Sequence, residues 1–468
     1  MDKNDQVKLK FFNALLEINP QIRGQYEGYL STQNGNNTEI ISKKEAVDLI
    51  QEFTTYFKEE FDEIDVDEPD WENYIPRHSG YIEHYDAVAH MAEETIDEVF
   101  ERMDFDIRAM IRNGEIPTAL LKLTALYDAC LNANIKDTYG VFPDSSDYLI
   151  NKWSEFLKII ILQLRMQVLA DSLVEWYLNI LFTHFSQHHL DNEQYLTSVE
   201  PLLLELVNSE PLAIKTEQLL GKFQIEKKQL ARLIPNLAKL NNDWGEWAKE
   251  AEQLMIYNAE VAMDLLKHYI EKSEDDFIRI ANKLWRKNLY KSQTADLYFK
   301  HLDPKKVPEL YKEVVKYLIQ YNQTKEYYGI LQGLFTEYEK EQFLEKYKYS
   351  GKFYAMMLHM EGRHEQLLDY LRKDKYPIDF IKMIPYLYDS HPAESLKLIK
   401  EYILYRLSDR KYRRREYPQI VELLLSTQKI KGHDQEINTL IRIVYNYQPY
   451  LPALRKKMDD GGLVNEKK

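Results

Sequence analysis

Histidines and carboxylates at helical spacing are the residues of this sequence that could bind a metal ion. Asp86, His90 and Glu94 lie at positions i, i+4 and i+8, with His84 close by, so they share one face of a predicted helix. Imidazole and carboxylate groups on one helical face can hold a divalent cation, usually with ligands from a second helix. An exposed polar stripe is the commoner arrangement and the interpretation that we favour, so no metal ligand is predicted.

Three further residues could carry chemistry. His184 and His188 lie four residues apart, but no carboxylate accompanies them in the sequence. The single cysteine, Cys130, lies in an apolar run, where a small buried side chain is commoner than a reactive thiolate. One cysteine excludes a disulfide framework within the chain and favours a reducing compartment. We predict no catalytic role for any of the three.

An acidic run extends from Glu59 to Asp70, where eight of twelve residues are Asp or Glu. It lacks the central glycine of an EF-hand loop, so we predict an exposed, charged connection rather than a calcium site. The phosphate-binding GxGxxG and GxxxxGK[ST] loops, the HExxH zinc motif and the GxSxG nucleophile motif are also missing from the sequence. We therefore predict no enzyme, no catalytic residue and no cofactor.

A basic and aromatic cluster near the C-terminus is the predicted binding patch. Residues 401–468 hold 14 Lys and Arg against 9 Asp and Glu, a local balance of +5. Arginine beside tyrosine can hold phosphates and stack on bases, which would suit nucleic acid. The alternative, which we favour, is a solvated junction whose positive charges cap the carbonyl groups of the preceding helix. The members of the C-terminal patch are Arg406, Arg410, Lys411, Tyr412, Arg413, Arg414, Arg415 and Tyr417.

The net charge of −15 is concentrated in the N-terminal part of the chain. Residues 1–134 hold 12 Lys and Arg against 28 Asp and Glu, a balance of −16, whereas the remainder holds 49 against 48. This distribution excludes a uniformly basic nucleic-acid-binding protein. The acidic part would suit a basic partner.

Composition and periodicity predict an all-α protein. The chain has 468 residues, of which 44% are hydrophobic, enough for two domains or one extended array. Only 15 Gly and 16 Pro interrupt it, and no alternating strand pattern is found. Helical units recur in pairs about every 30 to 40 residues. This predicts an α-solenoid of stacked antiparallel helical hairpins, tetratricopeptide-like or HEAT-like, with an acidic N-terminal helical portion.

The stretch from Asp147 to Gln187 is the most apolar part of the chain. It is apolar nearly all round, which predicts a central helix pair covered on several sides. Glu155, Lys158 and Arg165 interrupt it too often for a membrane span. No signal peptide is recognised in the first residues, so we expect a soluble, cytoplasmic protein.

One loop is the predicted domain boundary. Residues 136–146 hold a glycine, a proline and an Asp-Ser-Ser helix start. The predicted organisation is therefore an acidic N-terminal helical region at residues 1–140 and a helical-repeat solenoid at residues 141–468.

Three stretches carry a family resemblance: Phe12–Leu30, Ile111–Leu131, and Arg410–Thr427 together with Leu440–Leu463. In these residues the chain resembles the long helical region that follows the zinc finger in bacterial SWIM zinc-finger proteins. The finger itself needs three cysteines and a histidine around zinc, and this chain has one cysteine, so the finger and its contacts are not carried over. The resemblance implies a helical scaffold that works beside another module.

These observations leave three hypotheses for function. The first is a non-catalytic scaffold for protein–protein interaction, because helical repeats present long surfaces and the 35 tyrosines suit interfaces. The second is a nucleic-acid accessory protein that uses the C-terminal patch. An enzyme without a recognisable motif is the least favoured. The expected partner is another protein, with nucleic acid less favoured and no membrane.

Overall fold

The structure is a computed structural model that describes residues 41–66, 84–138, 140, 142–190, 192–373, 379–408 and 413–464. These residues form 22 α-helices and two short 3-10 helices. Packing divides the chain into two compact units, Met1–Glu274 and Asp275–Lys468. No helix in the described ranges is both long and apolar enough to cross a lipid bilayer.

The first ten helices belong to the first unit. A 3-10 turn at Lys227–Leu230 precedes the eighth of them. In chain order they are α1 (Lys43–Asp62), α2 (His84–Asn113), α3 (Ile116–Asn132), α4 (Ser145–Leu164), α5 (Asp171–His188), α6 (Glu193–Leu206), α7 (Glu210–Phe223), α8 (Leu233–Leu240), α9 (Trp244–Leu254) and α10 (Ala259–Lys272).

The remaining twelve helices follow from the division onward. A 3-10 turn at Ile384–Leu387 extends the eighth of these. They are α11 (Glu274–Arg286), α12 (Lys291–His301), α13 (Pro308–Tyr321), α14 (Lys325–Leu334), α15 (Glu337–Lys346), α16 (Lys352–Met360), α17 (His364–Lys373), α18 (Phe380–Met383), α19 (Pro392–Ser408), α20 (Arg413–Thr427), α21 (Asp434–Tyr445) and α22 (Pro452–Asp460).

Helices that are neighbours in the chain pack on one another within each unit. In the first unit α8 packs on α9 and α9 on α10, and in the second α12 packs on α13 and α13 on α14. This sequential pairing confirms the predicted all-α, helical-repeat fold class. The helices on both sides of the loop at residues 136–146 pack together in the first unit, where α4 contacts α2 and α3. The division lies at Glu274 and Asp275 instead.

Local signals account for several helix ends. Ser42 caps α1 by accepting a hydrogen bond from the backbone N–H of Glu45 at 3.3 Å, as the sequence predicts. The sequence pattern predicts one helix that reaches Phe100 or beyond and another from Phe105 to Asn113, but α2 is continuous to Asn113. No glycine or proline lies between Phe100 and Phe105, so nothing in the backbone interrupts the helix.

The most buried helix of the first unit is α3. Thirteen of its seventeen residues are buried, so this helix, rather than the expected central pair, is at the core. The two helices of that pair have different neighbours: α4 packs on α2 and α3, whereas α5 packs mainly on α7. Cys130 on α3 is fully buried, and burial raises the pKa of its thiol, which confirms its interpretation as a small core residue.

The outer face of α4 is not covered within the described part of the chain. Ile159 and Leu162 are 43% and 54% exposed, and Met166 and Val168, just after the helix, are exposed as well. The expectation of cover on several sides is therefore wrong for this face. The sequence pattern misleads here because apolar residues occur at both the inward and the outward helical positions.

The acidic run that begins at Glu59 is more ordered than predicted. Its first four residues form the last turn of α1, and the apolar residues that follow, Ile64 and Val66, are buried. Backbone hydrogen bonds join Ile64 and Val66 to Lys136 in an isolated parallel bridge. Up to Val66 the run is therefore an ordered segment rather than a plain connection, although Glu59, Glu63 and Asp65 are exposed as predicted, and the rest of the run lies outside the described residues.

Three helices are absent from the sequence-based expectations, namely α6, α15 and α22. Helix α6 contains Pro201, a residue that normally ends a helical pattern. Helix α15 begins at a capping box, in which the Thr336 hydroxyl accepts from the backbone N–H of Glu339 and the Glu339 carboxylate accepts from that of Thr336. The sequence pattern predicts the preceding helix at Lys325–Glu337, a range that overlaps the capping box.

The carboxylate of Glu339 has a second role in the second unit. It accepts a hydrogen bond of 2.8 Å from the ammonium of Lys312, a residue that is only 6% exposed and also binds Glu309. The Lys312 ammonium and then the Thr336 backbone N–H lower the pKa of Glu339 to about 2. This carboxylate therefore links α15 to α13.

We expect Glu339→Gln to destabilise the protein by about 1–2 kcal/mol at neutral pH, because the charge-assisted bond to Lys312 is lost, while the glutamine amide oxygen can still accept from the Thr336 N–H in the capping box. The pKa of Glu339 is depressed from 4.5 to about 2, so its stabilising contribution is present above pH 4.5 and is lost as the pH falls towards 2. Urea unfolding across that range checks this. The matched control is Glu337→Gln, which changes an 83% exposed carboxylate of the same first turn. Equal costs for both variants would contradict the assigned role.

Candidate functional site

The C-terminal patch is only partly at the surface. A guanidinium nitrogen of Arg406 lies 3.9 Å from a carboxylate oxygen of Glu416, and the guanidinium carbon lies 5.2 Å from the ring centre of Tyr402. Tyr417 is 4% exposed, so its ring belongs to the core and does not present a face for base stacking. Two of the predicted patch residues are thus engaged within the fold.

The exposed members of the patch lie at the start of α20. Arg414 and Arg415 are exposed in the first turn of this helix, which begins at Arg413. Positive charge at this end is unfavourable with respect to the dipole of α20, and the capping of the carbonyl groups of the preceding helix α19 by these arginines stays a prediction. Three more members, Arg410, Lys411 and Tyr412, lie outside the described residues.

The predicted stripe on α2 is solvated where it is described. The side chain of His90 is 62% exposed and lies 3.3 Å from Glu93, while Glu94 is exposed. The side chains of His84 and Asp86 lie outside the described part of the structure. The His90 side chain therefore fits the exposed polar stripe that the sequence favours.

A buried cluster of one carboxylate and two imidazoles lies elsewhere in the first unit. Asp128, His184 and His189 are each at most 8% exposed, and their ligand atoms all lie within 4.8 Å of one another. Nε2 of His184 is 2.6 Å from Oδ2 of Asp128, and Nε2 of His189 is 2.8 Å from Oδ1. Both imidazoles thus face a single carboxylate, and we call this group the Asp–His cluster.

Three helices position the Asp–His cluster. Asp128 lies near the end of α3, and His184 lies in the last turns of α5. His189 is the residue that ends α5, where its backbone N–H donates to the carbonyl of Phe185 at 2.9 Å. The ring of Tyr195 on α6 stacks on His189 with a centroid distance of 4.2 Å and an interplanar angle of 15°. Packing therefore fixes the two imidazoles on opposite oxygens of the carboxylate.

Electrostatics keep the carboxylate of the cluster charged. Burial alone would raise the pKa of Asp128, but the hydrogen bond from His184 and the close approach of the His189 imidazole outweigh it and lower the pKa. Burial, followed by the Asp128 charge, raises the pKa of Tyr195, so its hydroxyl stays protonated. The cluster therefore combines an anionic oxygen ligand with two imidazole nitrogens.

The Asp–His cluster opens on a pocket of about 880 Å³. Helix α1 forms one wall with Ile50 and Thr54, and the cluster itself forms part of the other together with Asn132 and His188. His188 is exposed, so the pocket reaches solvent. The pocket therefore connects the edge of the cluster with solvent, while Oδ1 of Asp128 and Nε2 of His189 are themselves buried.

Sequence reasoning finds one member of the cluster and misses two. It singles out His184 and His188 but leaves them without a carboxylate, since Asp128 lies 56 residues away in the chain. The available signal is an aspartate inside the otherwise apolar run of α3. A charged residue at a helix position that the apolar pattern predicts to be buried needs a hydrogen-bonding or oppositely charged partner, but the sequence does not show which residue that is.

A groove between α1, α2 and α3 is a second feature of the first unit. It has a volume of about 670 Å³, and Tyr56, Phe105 and Lys122 contribute to its lining. Phe105 is 66% exposed and Tyr56 is 53% exposed. We call this feature the acidic groove because of the carboxylates that surround the two rings.

Four carboxylates and two cations line the acidic groove. Glu60 forms an ion pair of 2.7 Å with Arg102, one of the cations. Glu98, Glu101 and Asp106 are exposed and form no ion pair with any described residue. The lining therefore has a negative balance, and the unpaired charges surround an exposed aromatic ring.

Comparison with known proteins identifies no family for this chain. No family model matches it, and no curated protein matches it. A solved structure described as a circular tandem repeat protein with novel repeat topology and enhanced subunit contact surfaces is similar at 14% sequence identity. That similarity covers 90% of this chain and 97% of the other, with a TM-score of 0.19, and it carries no inference about fold or function.

Proposed function

We propose that the chain is a non-catalytic helical scaffold that binds a basic, amphipathic helical segment of another protein in the acidic groove. The observation that supports this most strongly is Phe105, an aromatic side chain that is 66% exposed between unpaired carboxylates. The family resemblance adds the proposal that the scaffold works beside a further module.

The apolar part of the groove supplies the anchor. Phe105 occupies an outward position of α2, while Met103 and Ile107 on the same helix are buried. Aromatic side chains contribute most to interface energies when a partner desolvates them. Tyr56 offers a second ring from α1 together with a hydroxyl group that can remain solvated. An apolar helix face of a partner would cover both rings.

The charged part of the groove sets the chemistry of the partner. Glu98, Glu101 and Asp106 lie along α2 on the side that also carries Phe105. Carboxylates around an apolar anchor attract a segment with lysine or arginine on its flanks, and they repel an acidic one. The net negative charge of residues 1–134 also favours a basic partner over an acidic one at longer range.

The nucleic-acid hypothesis has less support. Of the residues that it relies on, Tyr417 is buried and Arg406 lies near Glu416. Among the patch side chains that the structure describes, Arg414 and Arg415 are the exposed positive charges, and two arginines are a small surface for phosphate recognition. An enzyme is also less favoured, because the carboxylates of the acidic groove are open to solvent and suit cation binding better than proton transfer.

The experiment measures fluorescence anisotropy with a labelled model helix of about 18 residues that carries leucine on one face and lysine on its flanks. We expect the full chain to bind this peptide and to bind a matched peptide with glutamate flanks much more weakly. Phe105→Ser should weaken binding about 30-fold, as expected for an aromatic anchor. Glu98→Gln combined with Glu101→Gln should weaken it several-fold, more at low salt than at high salt.

The controls separate this proposal from its alternatives. Tyr321→Ser removes a 75% exposed ring in the second unit and should leave peptide binding unchanged. Equal affinity for the lysine and glutamate peptides, or no effect of Phe105→Ser, would refute the proposal. A labelled single-stranded DNA is tested in parallel. Tight binding that disappears when Arg414 and Arg415 are changed to Glu would favour the nucleic-acid hypothesis instead.

A further inference from the structure

We propose that the Asp–His cluster binds a divalent first-row transition-metal ion, with Zn²⁺ as its simplest occupant. Within the described part of the chain, Asp128, His184 and His189 form the group of ligating side chains close enough together to hold such an ion. This inference concerns a different place from the acidic groove and does not depend on the proposed function.

Two of the facing atoms in the cluster lack an ordinary hydrogen bond. Oδ1 of Asp128 and Nε2 of His189 are 2.8 Å apart, yet their geometry is not that of a hydrogen bond. Both atoms are buried and have no other hydrogen-bond partner among the described residues, and the same is true of Nδ1 of His184. Buried polar atoms without partners are rare, so an arrangement that leaves several together calls for a ligand.

The ligand set matches the chemistry of a transition metal. Two neutral imidazoles and one carboxylate suit zinc and its first-row neighbours, whereas magnesium and calcium prefer sites made of oxygen alone. Ligand atoms around a tetrahedral zinc ion are roughly 3.3 Å apart. The observed spacings of 2.6 and 2.8 Å from Asp128 to the two imidazoles would therefore open by roughly 0.7 and 0.5 Å, which small side-chain rotations can provide.

The surroundings suit a metal site with an open coordination position. Three protein ligands leave room for a water or for a ligand atom of a partner. The pocket of about 880 Å³ gives an ion and that additional ligand a path to the cluster. Tyr195 stacks on His189, and its own hydroxyl is buried without a described hydrogen-bond partner. The Tyr195 hydroxyl is therefore a further polar atom on the ring that stacks against the His189 imidazole.

The test uses the full chain without a histidine tag, dialysed first against a chelator. Isothermal titration with ZnCl₂ should show saturable binding of a single ion per chain, and CoCl₂ should give the visible absorption of cobalt in a nitrogen and oxygen site. MgCl₂ should not compete. His184→Gln and His189→Gln should each weaken zinc binding at least tenfold. Even the loss of a residue that only supports a metal ligand costs roughly tenfold in metal affinity, and the loss of a ligand should cost no less.

The matched control is His268→Gln, which changes a partly buried histidine of the same unit that stacks on Trp244. It should bind zinc as the unchanged protein does. Thermal unfolding in the presence of chelator checks that each variant folds. If His184→Gln does not fold, the zinc affinity of His189→Gln tests the proposal. His189 lies just after the last turn of α5, outside the helix itself. Absence of saturable zinc binding, or binding that both cluster variants retain, would overturn the proposal.

Discussion

Trp153→Ala should destabilise the first unit by about 3–5 kcal/mol, a large effect for a single substitution. Trp153 on α4 is 1% exposed, and its indole N–H donates to the carbonyl of Leu123 on α3 at 3.3 Å. Its ring meets that of Tyr127 edge to face, with centroids 4.6 Å apart. Truncation would remove the buried ring, leave a cavity beside α3 and remove the hydrogen bond between the indole N–H and the Leu123 carbonyl.

Urea unfolding followed by circular dichroism measures this loss, and hydrogen exchange of peptides from residues 116–132 assigns it to α3. Trp153→Phe keeps an aromatic ring and should recover much of the stability. Trp244→Ala changes a tryptophan that is 56% exposed, so it should cost less than about 1 kcal/mol. If the substitutions at Trp153 and Trp244 cost the same, the core position assigned to α3 and α4 would be wrong.

Glu200→Ala should cost about 2–4 kcal/mol at neutral pH. Glu200 on α6 is 3% exposed, and its carboxylate accepts hydrogen bonds from the backbone N–H groups of Arg232 at 2.7 Å and Leu233 at 2.9 Å. Those groups begin α8, which has no cap from its own neighbouring side chain. The substitution would therefore leave two N–H groups at a helix start without an acceptor.

The pH dependence of this carboxylate has a definite sign. Burial raises the pKa of Glu200 above 4.5, and the hydrogen bonds from Leu233 and Arg232 offset this only in part. A raised pKa means that the folded state binds the proton more tightly than the unfolded state. The part of the stability that depends on the bound proton is therefore fully present below pH 4.5 and is lost as the pH rises through the raised pKa, whereas the two backbone hydrogen bonds to the carboxylate remain at neutral pH.

Glu200→Gln separates the hydrogen bond from the charge. The amide oxygen can still accept from α8, so this variant should be far more stable than Glu200→Ala. Glutamine does not titrate, so the stability of the unchanged protein relative to Glu200→Gln should fall as the pH rises from 4.5 through the raised pKa of Glu200. Urea unfolding across this range measures both effects. A constant difference between the two proteins would contradict the burial of this carboxylate.

The two proposed binding features share a framework. Helix α1 contributes Tyr56 to the acidic groove and Thr54 to the pocket beside the Asp–His cluster. Helix α3 contributes Lys122 to the former and Asp128 to the latter. Because α3 is the most buried helix of the unit, both features rest on a rigid support. Peptide and zinc titrations are independent measurements, so either proposal can fail without the other.

The sequence by itself determines the local level of this structure. Scarce glycine and proline and sustained helical periodicity predict an all-α chain, and Ser42 with Glu45 predicts the start of α1. Ile116 and Asn132 are the predicted and observed ends of α3. These features depend on residues a few positions apart, and such interactions are visible in the order of the chain.

Only the tertiary structure decides which faces are covered and which distant residues meet. Ile159 and Leu162 look like core residues in the sequence, yet no described helix covers them. Phe105 is exposed for the same reason: an apolar side chain becomes buried only when a neighbouring element packs on it. The meeting of Asp128 with His184 joins residues 56 positions apart. Helix packing brings these residues together, and their spacing along the chain does not predict the contact.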